Sequence, residues 1–253
     1  MWRLVLVLVV LWSAATAAAR SPDEPVRLKW EEGDVAGITS IWAADGSHVV
    51  GFVEYRQTHH DDVLHVLRIA RYRDGSSDED EATARITDDR LEAVGGKSVI
   101  RDRKGSEVVD LEIDVAARRV HGTLADGGQQ RPFDEQMDLS AGTYWGPLVF
   151  IVLKNFDVNA EDGRLAFRTV VPTPKPRLLE LEFVRREPGR VDLFGGALDA
   201  VRFSLRPSIH WAIDPILHLF VPSGEFFLLP GQPPALARFD GPRNYAGERI
   251  RLE

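Results

Sequence analysis

Leu139-Ser-Ala-Gly-Thr-Tyr-Trp-Gly-Pro-Leu-Val-Phe-Ile-Val-Leu-Lys-Asn-Phe156 is the most apolar run of the chain outside its N-terminal leader. Its two halves read differently. Positions 138–147 are rich in turn and capping residues, and Gly142, Gly146 and Pro147 keep them from forming one regular element. Positions 148–156 are continuously apolar apart from Lys154 and Asn155. A run of that length suits a buried strand or a short buried helix, and periodicity alone does not choose. Val, Ile and Phe favour a strand, whereas Pro147 suits the first turn of a helix. The expectation is a short helical or irregular plug around 144–156, lying across a sheet. Such a run is either plain core or a ligand-facing wall with Tyr144 and Trp145 at its mouth.

Outward from this stretch the chain is short, alternating and charged. Val109, Leu111, Ile113 and Val115 alternate with Asp110, Glu112 and Asp114, the signature of a strand with one buried face. Val49, Gly51, Val53 and Tyr55 share one face in the same way, and 63–72 reads as a strand by its neighbours. Further strands are expected at 26–30, 38–42, 82–87, 98–101 and 119–124. After the central run they continue at 165–171, 179–183, 201–205, 216–221, 225–229, 235–239 and 249–252. Gly- and Asp-rich turns separate them. Thr58-His-His-Asp-Asp62 reads as a hairpin loop, Asp74-Gly-Ser-Ser-Asp-Glu-Asp-Glu81 as an acidic loop, and Pro172, Pro174 and Pro176 as a stiff crossover barred from a central strand. The fold class is therefore mainly β: a large antiparallel curved sheet or open half-barrel carrying the plug. A β-sandwich is the main rival.

Met1-Trp-Arg3, the apolar stretch 4–12 and the small residues 13–19 form the three regions of a secretory signal peptide, with Ala-x-Ala sites ending at Ala17 and Ala19. The expected organisation is a signal peptide at 1–19 and a single antiparallel β domain at 20–253, located in the periplasm or outside the cell. No later stretch is long enough to span a bilayer as a helix, so no transmembrane segment is expected in the mature chain. There is no cysteine, which removes disulfides, cysteine metal sites and a lipoprotein acceptor. The formal net charge of −8 argues against a nucleic-acid partner, whose phosphates require a basic face.

No catalytic signature stands out. There is no Gly-x-Ser-x-Gly elbow and no cysteine nucleophile. His59, His60, Asp61, Asp62 and His65 match no metal-ligand spacing, and 74–81 lacks the order of a calcium loop. No metal and no cofactor is expected. His210 and His218 near Asp214 suit structural histidines better than a general base. The aromatic set says more. Tyr144, Trp145, Phe150, Phe156, Trp211, Phe220 and Phe227 all lie in the C-terminal half. In a closed small barrel they would fill the interior; in an open half-barrel they would line an apolar groove. These seven are the candidate ligand-binding residues.

Gly195-Gly-Ala-Leu-Asp-Ala-Val-Arg-Phe-Ser204, the segment 215–222, and Pro233-Pro-Ala-Leu-Ala-Arg-Phe-Asp-Gly-Pro242 resemble the end of a group of uncharacterised exported bacterial proteins. Those are similar to the lipoprotein-carrier type of curved half-barrel with a helical lid. The resemblance covers residues 140–253. It implies an open barrel and an apolar ligand, and it carries no catalytic signature. The C-terminal strands depart from it in being crowded with proline. Taken together, the sequence reads as a periplasmic binding or carrier protein for a lipid or other apolar small molecule. An envelope scaffold with a dry core and an exported hydrolase are the alternatives.

Overall fold

The computed structural model describes residues 20–30, 33–126, 128–156, 163–172, 175–193, 195–208, 223–244 and 247–253. The signal peptide expected at 1–19, Trp211, Phe220, His210, Asp214, His218 and the strand expected at 216–221 lie outside the described residues.

Alternation turns most of the chain into strands of one antiparallel sheet. Eight of them run as a meander: β2 (Val35–Ala43), β3 (Val49–His60), β4 (Val63–Tyr72), β5 (Ser77–Thr87), β6 (Arg90–Arg101), β7 (Glu107–Asp114), β8 (Arg119–Asp126) and β9 (Gln129–Gln136). A two-residue strand β1 (Val26–Arg27) pairs with β6. The helix α1 (Leu148–Lys154) follows β9. The remaining strands are β10 (Arg164–Val171), β11 (Arg177–Arg185), β12 (Gly189–Leu193), β13 (Gly196–Pro207), β14 (Gly224–Leu229), β15 (Ala235–Pro242) and β16 (Arg249–Leu252). The spatial order is β10-β11-β13-β14-β15-β16-β2 and then β3 to β9 in sequence. The chain thus starts mid-sheet, meanders out to the edge at β9, jumps to the opposite edge at β10, and works back until β16 pairs with β2.

That jump runs through the concave interior, and it explains the central apolar run. Leu148, Ile151, Val152 and Leu153 of α1 are buried, in one core with Phe167, Phe183, Phe203 and Phe226 of the C-terminal strands and Leu91, Leu111 and Val120 of the meander. A helix this short is not stable in water. Packing holds it, each fully buried large aliphatic contributing about 1.5–3 kcal/mol. Asn155 closes its C-terminus: its Nδ2 donates to the Ile151 carbonyl, and its Oδ1 accepts from the backbone N–H of Lys29 and Trp30. The segment before α1 is tied to both sides of the sheet. The Tyr144 N–H donates to the Arg168 carbonyl on β10, and the Ala93 N–H on β6 donates to the Ala141 carbonyl. The Tyr144 hydroxyl accepts from the Val26 N–H and donates to the Leu91 carbonyl, both at 2.7 Å. A Cβ at Gly96 would stand 2.2 Å from the Glu81 carbonyl oxygen and 2.8 Å from Trp145 Nε1, so glycine is needed where β6 meets β5 and the plug.

The half-barrel and plug expected from the sequence are present, with three local corrections. The acidic segment 74–81 is not a loop: β5 begins at Ser77, with Asp78 and Asp80 buried. Pro172 and Pro176 do not bound a crossover, because β10 and β11 pair as adjacent antiparallel strands, Val171 opposite Arg177. Strands β9 and β12 had no periodic signal. β9 is an edge strand with mostly exposed side chains and Pro132 within it, so it has no buried face to impose alternation.

Tyr144→Phe removes one hydroxyl and leaves two buried backbone partners unpaired, which costs about 1–3 kcal/mol per group. The variant is expected to fold with an unchanged circular dichroism spectrum and a clearly lower urea midpoint. An unchanged midpoint would show that the plug does not depend on this tie.

Candidate functional site

Alternation aims an unusual row of polar side chains into the interior. Arg68 is in phase with Leu64, Val66, Ala70 and Tyr72 on β4, and Asp78 and Asp80 are in phase with Ala82 and Ala84 on β5. Register then sets Arg68 opposite Asp80 and Asp80 opposite Ser98 of β6. Arg68 Nε and Nη2 both donate to Asp80 Oδ2, at 2.9 and 2.6 Å. The Ser98 hydroxyl donates to Asp80 Oδ1 at 2.6 Å. Burial pushes the Arg68 guanidinium down, but Asp80, Tyr72 and Asp78 outweigh it and the net shift is upward. Arg68 stays a cation.

A second group lies beside the first. The Tyr72 hydroxyl donates to Asp78 Oδ2 at 3.1 Å. Arg243, just beyond β15, stacks on the Tyr72 ring at 3.5 Å from its centroid. Arg243 Nη2 donates to the Ser76 hydroxyl, Nη1 is 3.6 Å from Asp74 Oδ2, and Nε is 3.8 Å from Asp78 Oδ2. Asp78 is 1% exposed, and its Oδ1 is buried with no partner, as is Arg243 Nε. Burial raises the Asp78 carboxyl above its ordinary value, against the pull of Arg68 and Arg243. Asp74 is held down at about 2, chiefly by the Ser76 hydroxyl.

Three cavities meet around this row. One of about 140 Å³ is bounded by Asp78, Asp80, Ser98, Trp145, Gly146 and Asn244. One of about 230 Å³ lies between α1 and the C-terminal strands, walled by Phe150, Leu181, Leu205, Phe226 and Phe239, with Arg68, Asp80 and Arg243 at its polar end. One of about 260 Å³ lies between α1 and the β15–β16–β2–β3 wall, at Thr39, Val53, Phe150, Ile151, Leu236 and Leu252. Phe150, Arg68 and Leu252 border both of the larger two.

The structure brings together some of the sequence-derived ligand residues and not others. Phe150 lines both larger cavities and Trp145 the small one. Tyr144 and Phe156 are packed in the core, Phe156 with its ring centroid 5.0 Å from that of Phe203. Phe227 belongs to a separate cluster with Val191, Ala200 and Ala237, with the guanidinium groups of Arg202 and Arg238 5.9 and 5.2 Å from its ring centroid, while its neighbours Phe226 and Leu228 join the main core. Trp211 and Phe220 lie outside the described residues. Arg68, Tyr72, Asp78, Asp80 and Arg243 were missed. Among the described residues, no three His, Asp or Glu side chains converge to hold a metal ion, and no helix is long and apolar enough to cross a membrane.

These features define an open antiparallel half-barrel with an internal helix and a cleft along it. No family model matches the chain, and no curated protein matches it. Among solved structures it is similar to the crystal structure of a β-barrel-like protein of domain of unknown function DUF1849 from Brucella abortus. The two share 12% sequence identity and a TM-score of 0.48, over 90% of this chain and 96% of that one.

A pH dependence follows from Asp78, which Arg68, Arg243, Tyr72 and Asp80 face. Its folded value is raised, so its contribution to stability is complete below the ordinary 3.8 and is lost as pH rises through the folded value. Asp74 runs the other way, losing its contribution as pH falls towards about 2. Comparing thermal midpoints of the wild type and Asp78→Asn from pH 4 upward isolates the first. The wild type is expected to lose ground to the variant as pH rises; a constant difference would show that Asp78 is not disfavoured as an anion.

Proposed function

We propose that this is an exported binding or carrier protein that takes the apolar chain of a lipid-like small molecule into the cleft along α1. One observation carries the reading: two largely apolar cavities of about 230 and 260 Å³ flank Phe150 and share it as a wall. Each falls just short of the ~300–1,000 Å³ usual for small-molecule sites, and together they fall within it. Well-packed interiors keep few voids larger than a water molecule, so two such spaces beside one helix are more than core packing requires. The resemblance of residues 140–253 to carrier-type half-barrels, and the leader that would deliver the chain to the periplasm, lean the same way. In this reading Phe150 is a ligand-facing wall, Trp145 stands at the polar end, and Tyr144 and Phe156 hold the plug that forms the cleft. The scaffold alternative draws on the same burial of Tyr144 and Phe156, and differs in requiring the cleft to stay empty.

The test combines extraction and blocking. Protein prepared without detergent is examined by native mass spectrometry and solvent extraction, then titrated with a fluorescent acyl-chain probe. A lipid-like mass or saturable probe uptake is expected. Thr39→Trp, which fills the cavity under β2, should weaken uptake at least about tenfold, or about 1.4 kcal/mol, with little change in melting temperature. A bare polypeptide that takes up no probe would overturn the carrier reading and favour the scaffold.

A further inference from the structure

Resting on the carrier reading, we infer that the head group of the bound amphiphile is a primary amine, seated in the small cavity at Asp78. The cavity of about 140 Å³ and the apolar one of about 230 Å³ share Arg68, Asp80, Gly146, Pro172 and Asn244 as walls. A chain lying against Phe150 and Leu205 therefore has its polar end at the carboxylates. The cavity exceeds the ~30 Å³ share of one water several-fold, which leaves room for an ammonium group and the carbons next to it.

The chemistry of the walls selects the head group. Both oxygens of Asp80 are engaged, by Arg68 and by Ser98. Asp78 Oδ2 accepts from Tyr72, but Oδ1 has no partner although it is buried. A buried acceptor without a donor is expensive, and what would satisfy it is a donor brought by an occupant. The ion pairing points the same way. Arg68 holds Asp80 at 2.6 Å and Arg103 holds Asp74 at 3.0 Å, whereas Arg243 reaches Asp78 only at 3.8 Å, so Asp78 is the carboxylate of the three with the longest cation contact. An ammonium group supplies both the donor and the charge. A carboxylate or phosphate head would add a further negative charge beside Asp78 and Asp80. Arg243 Nε, also unpaired, faces Asp78 Oδ2 at 3.8 Å, so ionised Asp78 has a cation on its other side.

The experiment is a calorimetric titration of the mature protein with laurylamine, lauryl alcohol and laurate below their aggregation limits. The chain is identical in all three, so the carrier reading alone expects all to bind. The inference expects laurylamine to bind at least about tenfold tighter than the other two, the margin of one charge-assisted hydrogen bond. It also expects that preference to vanish in Asp78→Asn while chain binding persists. Equal binding of the three, or a preference for laurate, overturns the amine assignment and leaves the carrier reading standing. Binding of none overturns both. The wild-type order decides the matter even if Asp78→Asn fails to fold.

Discussion

The path from β9 to β10 constrains everything else. These strands lie at opposite edges of the sheet, and the chain connects them through the interior. A segment that crosses a β interior must be apolar and must satisfy its own backbone. Residues 139–156 meet both demands: α1 bonds internally, Tyr144 and Ala141 bond to the flanking strands, and Asn155 caps the end against the N-terminal segment. The crossing also makes complete closure unnecessary. Part of the free edge of β10 is taken by Thr143 and Tyr144, through a single parallel bridge at Arg168. Arg168 in turn holds Asp23 at 2.7 Å, which draws the N-terminal segment to the same seam.

A helix inside a sheet is a round object against a saddle, and the fit is not uniform. On one side Leu148, Val152 and Leu153 share a core with Leu91, Leu111 and Val120 of β6, β7 and β8. Against β2, β15 and the C-terminal strands the helix leaves the two chambers beside Phe150. The polar row of β4, β5 and β6 sits where those chambers converge. A buried ion pair such as Arg68–Asp80 is poor evidence of stability, because desolvating both charges offsets much of their attraction. Breaking one is costly, so the row resists loss once present. Its placement at the end of an apolar cleft suits recognition better than stability.

Much of this was legible in the sequence where one face is buried. The alternation of Val109, Leu111 and Ile113 specified β7, and Pro147 before a long apolar run pointed to a short helical or irregular plug, which the structure resolves as the helix α1. β9 was not legible because an exposed edge strand imposes no pattern on Gln129–Gln136. The candidate site was hidden by composition: Asp78 and Asp80 sit in an acidic run that reads as solvated. Their phase with Ala82 and Ala84 was the available signal, and it shows only once β5 is extended back to Ser77. Arg68 was hidden likewise among the apolar residues of β4. Aromatic content alone could not separate Phe226 from Phe227, because only the pleat decides which of two neighbours faces the core. Arg243 reaches Tyr72 across the sheet from a position after β15, a long-range meeting with no local sequence trace.

The most direct measurement is paramagnetic relaxation by methyl NMR, using an acyl chain with a nitroxide near its end. If the chain lies in the cleft along α1, the methyl signals of Ile151 and Leu252 broaden strongly, while those of Val191 and Leu198, away from the cleft, stay sharp. Broadening at Val191 and Leu198 instead, or at none of these methyls with the protein in excess over the probe, would contradict the account.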